Sequence, residues 1–174
     1  MKPSEVSKEY LTEALLILMK SKKYSSITVK DIAEKAGVSR LTFYRNFETK
    51  EQILTKHIER GFLEYMNSLD RLEKLDLKGA LDLCFDFWGK RSNEITAFVE
   101  QDMAHILIQP FDNCMVEMLN RIGIVSDFTR TQKQFLSGGM FLAMISWIRS
   151  GKRTPPEEIT KEILQMFSDE FLYS

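Results

Sequence analysis

Apolar positions recur along this chain at the three-and-four spacing of α-helices, and alternation of period two is nearly absent, so the sequence predicts an all-α protein. The first helix is expected from about Ser4 to Lys20, where Leu11, Ala14, Leu15 and Leu18 form a core-facing stripe. After a polar break over Ser21–Ser26, Thr28 can cap a second helix, with Asp31 at its third position and Ile27 able to staple onto Ile32. Val29, Ile32, Ala33 and Ala36 keep the helical spacing until Gly37, which suits the left-handed conformation that ends helices. Only Gly37 and Val38 precede Ser39, the expected cap of a third helix, and Val38 can staple onto Phe43. Two short helices joined by so tight a glycine-containing turn make a helix-turn-helix.

A fourth helix is expected from Thr49, capped through Gln52, to about Leu69. Beyond a charged stretch at 71–78, further helices are expected near 79–90, 93–108, 111–122, 127–149 and 155–172. For the last, Thr154 can cap, Pro155 suits the first position, Glu157 completes a capping box, and Ile159, Ile163, Met166 and Phe171 share a face. The expected division is a helix-turn-helix head over residues 1–48 and a helical ligand-binding and dimerisation body over 49–174, opened by a connecting helix at 49–69. Ser137-Gly138-Gly139 falls inside the 127–149 helix, where each glycine costs about 1 kcal/mol relative to alanine. Small residues let a second backbone approach, so the 127–149 and 155–172 helices are expected to pair with their copies in a homodimer. Close packing within the chain, or a ligand-gated kink, would also account for the glycines.

Composition narrows the class. A chain of 174 residues with 44% hydrophobic and 28% charged side chains is that of a globular protein, with room for a small head on a larger body. The longest apolar stretches, Ala14–Met19 and Met140–Ile148, fall short of the roughly 20 residues that span a bilayer, and the first ten residues hold no leader-like apolar run. A cytoplasmic protein without membrane contact is expected. The net charge of −1 conceals an asymmetry: residues 1–60 hold 12 Lys/Arg against 8 Asp/Glu, and residues 61–174 hold 12 against 17. A basic head on an acidic body points to a polyanion contact confined to the head. Cys84 and Cys114 form no CxxC pattern and fit reduced, buried thiols, with a redox switch as the alternative. With only His57 and His105 beside them, neither a metal site nor a cofactor is expected. No Ser/His/Asp, paired-carboxylate or phosphate-loop constellation supports an enzyme.

The third helix carries the candidate chemistry. At about 100° per residue, Phe43 and Phe47 point into the head, while Leu41 and Arg45 point away, flanked by Thr42 and Tyr44. In a major groove Leu41 can touch a thymine methyl, and Arg40 or Arg45 can pair with guanine. Phosphate contacts are expected from the helix start at Thr28 and from Lys30, Tyr44 and Lys50.

Thr28-Val29-Lys30-Asp31-Ile32-Ala33, Ala36-Gly37-Val38-Ser39, Thr42-Phe43-Tyr44-x-x-Phe47 and Lys50-Glu51-x-Ile53-Leu54 together resemble the tetracycline-repressor (TetR) family of bacterial regulators, over residues 10–55. The resemblance implies a homodimer on double-stranded operator DNA, commonly a repressor, released by a small-molecule effector. It implies phosphate contacts at Thr28, Tyr44 and Lys50 and base contacts at Lys30, Arg40, Leu41, Thr42 and Arg45; with the cap Ser39 these form the expected DNA-binding set. Many relatives have a small residue where Leu41 stands, so their operator preference does not transfer. In the body, Phe85, Trp88, Phe98, His105, Met115, Met118, Met140, Met144 and Trp147 are either core or the lining of an effector pocket, and His105 either orients a ligand or is a bonded core histidine. A regulator answering to a protein partner, or an interaction module without an effector, is the alternative reading.

Overall fold

The computed structural model describes residues 3–123 and 128–166, and among these every regular element is a helix. The order is α1 (Pro3–Met19), α2 (Val29–Lys35), α3 (Arg40–Asn46), α4 (Lys50–Leu69), α5 (Leu77–Lys90), α6 (Ser92–Glu100), α7 (His105–Ile122), α8 (Arg130–Arg149) and α9 (Pro156–Gln165), with a short 3-10 turn at Tyr24–Ser26 before α2. The chain forms two compact units. The first holds residues 1–60 and 97–107, so it reaches past the expected boundary at residue 48; the second holds 61–96 and 108–174.

In the first unit α1, α2 and α3 pack on one another around Leu11, Leu15, Ile32, Phe43 and Phe47. The expected α1 stripe turns slightly at its end: Leu18 is half-buried, and Met19 takes the core position. Ile53, Leu54 and Ile58 from α4 and Phe98 and Met103 from the later segment are also buried.

The core of the second unit is aromatic. Phe62 meets Trp88 at 4.5 Å between ring centroids, and Phe85 meets Trp147 edge-on at 5.3 Å, geometries that aromatic pairs favour. Gly89 makes the second pair possible, because a Cβ there would lie 2.7 Å from the Trp147 ring. Gly89→Ala is therefore expected to destabilise this unit by about 1–3 kcal/mol, the cost of overpacking, measured by urea unfolding. The α8–α9 turn is held by the Trp147 indole N–H donating to the Thr154 carbonyl at 2.7 Å and by Lys152 Nζ donating to the Gly89 carbonyl at 2.9 Å.

Three expectations about element ends are corrected. The helix expected over 93–108 is two: α6 stops at Glu100, where Asp102 turns left-handed (φ 59°) and the Met103 N–H closes back on the Phe98 carbonyl at 2.8 Å. The helix expected from 111 begins earlier, at His105, so Pro110 lies inside α7, where proline has no N–H to offer the helix. Thr154 does not cap α9; Pro155 occupies the cap without a side-chain bond, and the Thr154 carbonyl receives the Trp147 indole instead. Residue 127 and positions 167–172, including Phe171, lie outside the described residues.

Candidate nucleic-acid interface

The head is built from its caps. Thr28 Oγ1 accepts the Asp31 N–H at 3.1 Å, while Asp31 Oδ2 accepts the Thr28 N–H and hydroxyl, each at 2.8 Å, giving the reciprocal box that starts α2. Lys22 reaches the other carboxylate oxygen at 3.2 Å. The Thr28 backbone and hydroxyl, then Lys22, hold the Asp31 carboxyl down at about 2. Gly37 turns left-handed (φ 67°) just after α2, and Ser39 Oγ then accepts the Thr42 N–H at 3.1 Å to start α3.

These caps fix which face of α3 looks outward. Phe43 is fully buried and Phe47 nearly so, whereas Leu41 and Tyr44 are each 60% exposed. Arg40 and Arg45 are exposed on the same helix, and among the described residues neither is held in an ion pair. Thr28, Lys30 and Ser39 are also exposed, Thr42 is half-buried with its hydroxyl 3.0 Å from that of Ser39, and Lys30 has only an exposed pair with Glu34 at 3.7 Å. Such a pair contributes little and yields readily to a stronger anion. The Tyr44 ring stands edge-on to Phe43 at 5.2 Å, which anchors its base and leaves its hydroxyl end outward.

Lys50 departs from expectation. Its ammonium is half-buried, donates to the Tyr24 carbonyl at 2.6 Å and the Ile27 carbonyl at 2.7 Å, and lies 4.3 Å from the Tyr24 ring centre. Burial pushes its pKa down from the ordinary lysine value. A phosphate contact by this ammonium would have to displace two backbone carbonyls, so the geometry makes Lys50 a brace of the turn before α2.

The expected pocket residues divide. Phe85, Trp88, Met115, Met118, Met140, Met144 and Trp147 are buried in the second unit, whereas Phe98 is buried in the first. His105 opens α7 as an exposed residue of the first unit rather than a core histidine, with Nδ1 3.3 Å from the Asp102 carbonyl and Nε2 3.8 Å from Glu51. Burial pushes the Cys84 thiol up to about 12 and that of Cys114 up as well, so both stay protonated and poorly nucleophilic. The expected residue Trp88 has its Nε1 buried without a hydrogen-bond partner among the described residues, and so has Thr160 its Oγ1, which sequence reasoning missed. Among those residues no group of three or more His, Cys, Asp and Glu could hold a metal, and no helix is long and apolar enough to cross a membrane.

A capped pair of short helices about a left-handed glycine, with the second helix turning a mixed apolar, cationic and hydroxyl face outward, defines a helix-turn-helix protein. Residues 11–56 match the family model described as bacterial regulatory proteins, tetR family. It is 25% identical over 166 residues to the uncharacterized HTH-type transcriptional regulator YxbF of Bacillus subtilis (strain 168), covering 91% of this chain but only 44% of that relative's length. The fold is similar to that of the dihydroxyacetone kinase operon activator DhaS, with a TM-score of 0.63 at 20% identity over 95% of this chain and 96% of that one. It is also similar to the transcriptional regulator FadR from Bacillus subtilis, solved in complex with stearoyl-CoA, with a TM-score of 0.60 at 18% identity over 92% and 97% of the two chains.

Proposed function

We propose that the chain is a sequence-specific DNA-binding transcriptional regulator that works as a homodimer, represses from a palindromic operator and is released by a small-molecule effector held in its second unit. The observation that carries this reading is the outward face of α3, where Leu41, Tyr44 and Arg45 are exposed beside Arg40 on a helix whose other side is locked by Phe43. An exposed leucine among cations and hydroxyls gains nothing from water, but in a major groove it meets a thymine methyl while arginine meets guanine. Thr28, Lys30 and Ser39, around the same helices, supply phosphate and groove contacts that set the register. Selection from a randomised duplex library tests it. The expected product is a palindrome with half-sites about 34–36 Å apart, and enrichment of no sequence would refute the reading.

The dimer is supported by α8. Phe135 and Leu142, 77% and 65% exposed and seven residues apart, share a face, and a Cβ on Gly138 or Gly139 between them would meet nothing within 4 Å. The glycines are therefore not explained by close packing inside the described chain, and they leave a backbone strip open to a second copy. Phe135→Glu combined with Leu142→Glu is expected to shift the protein from dimer to monomer in sedimentation while it stays helical. Gly138→Ala should weaken the dimer although it raises helix propensity by about 1 kcal/mol.

The effector reading is supported by the interior of the second unit. Its buried polar residues among those described are only Ser137 and Thr160, and the Trp88 Nε1 and Thr160 Oγ1 atoms, without a hydrogen-bond partner there, would bond the polar atoms of an otherwise apolar ligand. Such a ligand regulates only if it binds the operator-bound and released forms with different affinity.

A further inference from the structure

Gln101 lies just past the end of α6, in the 97–107 segment that folds with the first unit. Both ends of its side-chain amide are engaged by the backbone between α1 and α2. Nε2 donates to the Met19 carbonyl at 3.0 Å and the Lys22 carbonyl at 3.3 Å, and Oε1 accepts the Tyr24 N–H at 2.8 Å. Met19 ends α1, so its carbonyl is one that the helix itself leaves without a partner. Tyr24 is also held through its carbonyl, which takes the Lys50 ammonium at 2.6 Å while the same ammonium takes the Ile27 carbonyl at 2.7 Å. Ile27 immediately precedes Thr28, whose capping box opens α2, and Lys22 reaches the Asp31 of that box. The next residue after Gln101, Asp102, holds the left-handed conformation that non-glycine residues adopt at a cost, so the segment's path is fixed where the amide projects. A run of bonds thus leads from Gln101 through Tyr24 and Lys50 to the start of the helix that carries Thr28 and Lys30.

We propose that Gln101 is a positioning residue for DNA binding, setting the α1–α2 connection and with it the placement of the Thr28 and Lys30 side chains for contact with the phosphate backbone. This rests on the DNA-binding reading above. The three bonds join groups 77 to 82 residues apart in sequence, and local helix formation in α1 or α2 does not supply them.

The test uses the full chain and the duplex that the unaltered protein selects from a randomised library. Gln101→Ala removes the amide, and Gln101→Met removes it while keeping its length. Both are expected to raise the Kd of the active fraction roughly tenfold, the scale of one or two lost hydrogen bonds, at an active fraction unchanged in stoichiometric titration. A Kd within about twofold of the unaltered protein for both variants, below the scale of even one such bond, overturns the proposal. So does a fall in active fraction alone, which marks a merely structural role, or a loss in Gln101→Ala that Gln101→Met does not share, which marks packing. Failure of the unaltered protein to select any sequence removes the DNA-binding reading itself and is told apart from these outcomes before any variant is made.

Discussion

Replacing Leu41, Tyr44 and Arg45 together by alanine is expected to weaken binding to the selected operator by about a hundredfold or more, since well-formed base contacts contribute about 1–3 kcal/mol each. The three side chains point away from the core that Phe43 anchors, and exposed substitutions of this kind usually change stability by no more than about 0.5 kcal/mol. The variant should keep its helical content and the proposed dimer, and lose its operator. Its residual binding should be the salt-dependent, sequence-independent kind that phosphate contacts give. Tyr44→Phe separates the two contributions at one position: it keeps the edge contact with Phe43 and removes only the outward hydroxyl. Fluorescence anisotropy against the selected duplex and a scrambled one measures both terms. Equal affinity of the triple variant and the unaltered protein for the selected duplex would show that α3 does not read DNA.

The parts of this face that were legible in the sequence are those fixed by neighbours a few residues away. Thr28 and Asp31, Gly37, and Ser39 ahead of Phe43 each signal a cap or a turn within one helical turn of chain, and the structure forms each of them. The start of α8 differs from the expected 127: Thr129 and Gln132, three residues apart, make a reciprocal capping box that went unread and opens the helix at Arg130. What else was not legible depends on distant partners. Nothing near Lys50 in sequence shows that the Tyr24 and Ile27 carbonyls will claim its ammonium, and nothing near Gln101 shows that Met19, Lys22 and Tyr24 will claim its amide. The break between α6 and α7 was hidden for another reason: Asp102 adopts a conformation that normally signals itself through glycine, while Pro110, a strong breaker, was tolerated within the helix. His105 then followed the wrong helix. Thr154 was misread because its carbonyl is taken by the Trp147 indole, a competition decided by packing.

Phe43→Ala should have the largest effect on stability in the head. Phe43 is fully buried at the centre of α3, with Phe47 at 6.2 Å and Tyr44 at 5.2 Å between ring centroids. Truncating a buried phenylalanine costs about 3–5 kcal/mol, made up of lost burial and of the cavity that a rigid surround cannot fill. Against that stands a unit of some seventy residues, for which about 0.05–0.15 kcal/mol per residue gives a total of roughly 4–10 kcal/mol. The loss is thus comparable with the whole stability of the unit. Because the second unit has its own aromatic core around Phe62, Phe85, Trp88 and Trp147, the variant is expected to melt in two steps, an early one that abolishes operator binding and a later one close to the original transition. Differential scanning calorimetry with parallel anisotropy resolves the two. Phe43→Leu, which leaves a smaller void, should move the early step less and keep operator binding at low temperature. A single transition lowered as one would show instead that the chain unfolds as one cooperative body, and that α3 derives its stability from more than the buried side of its own helix.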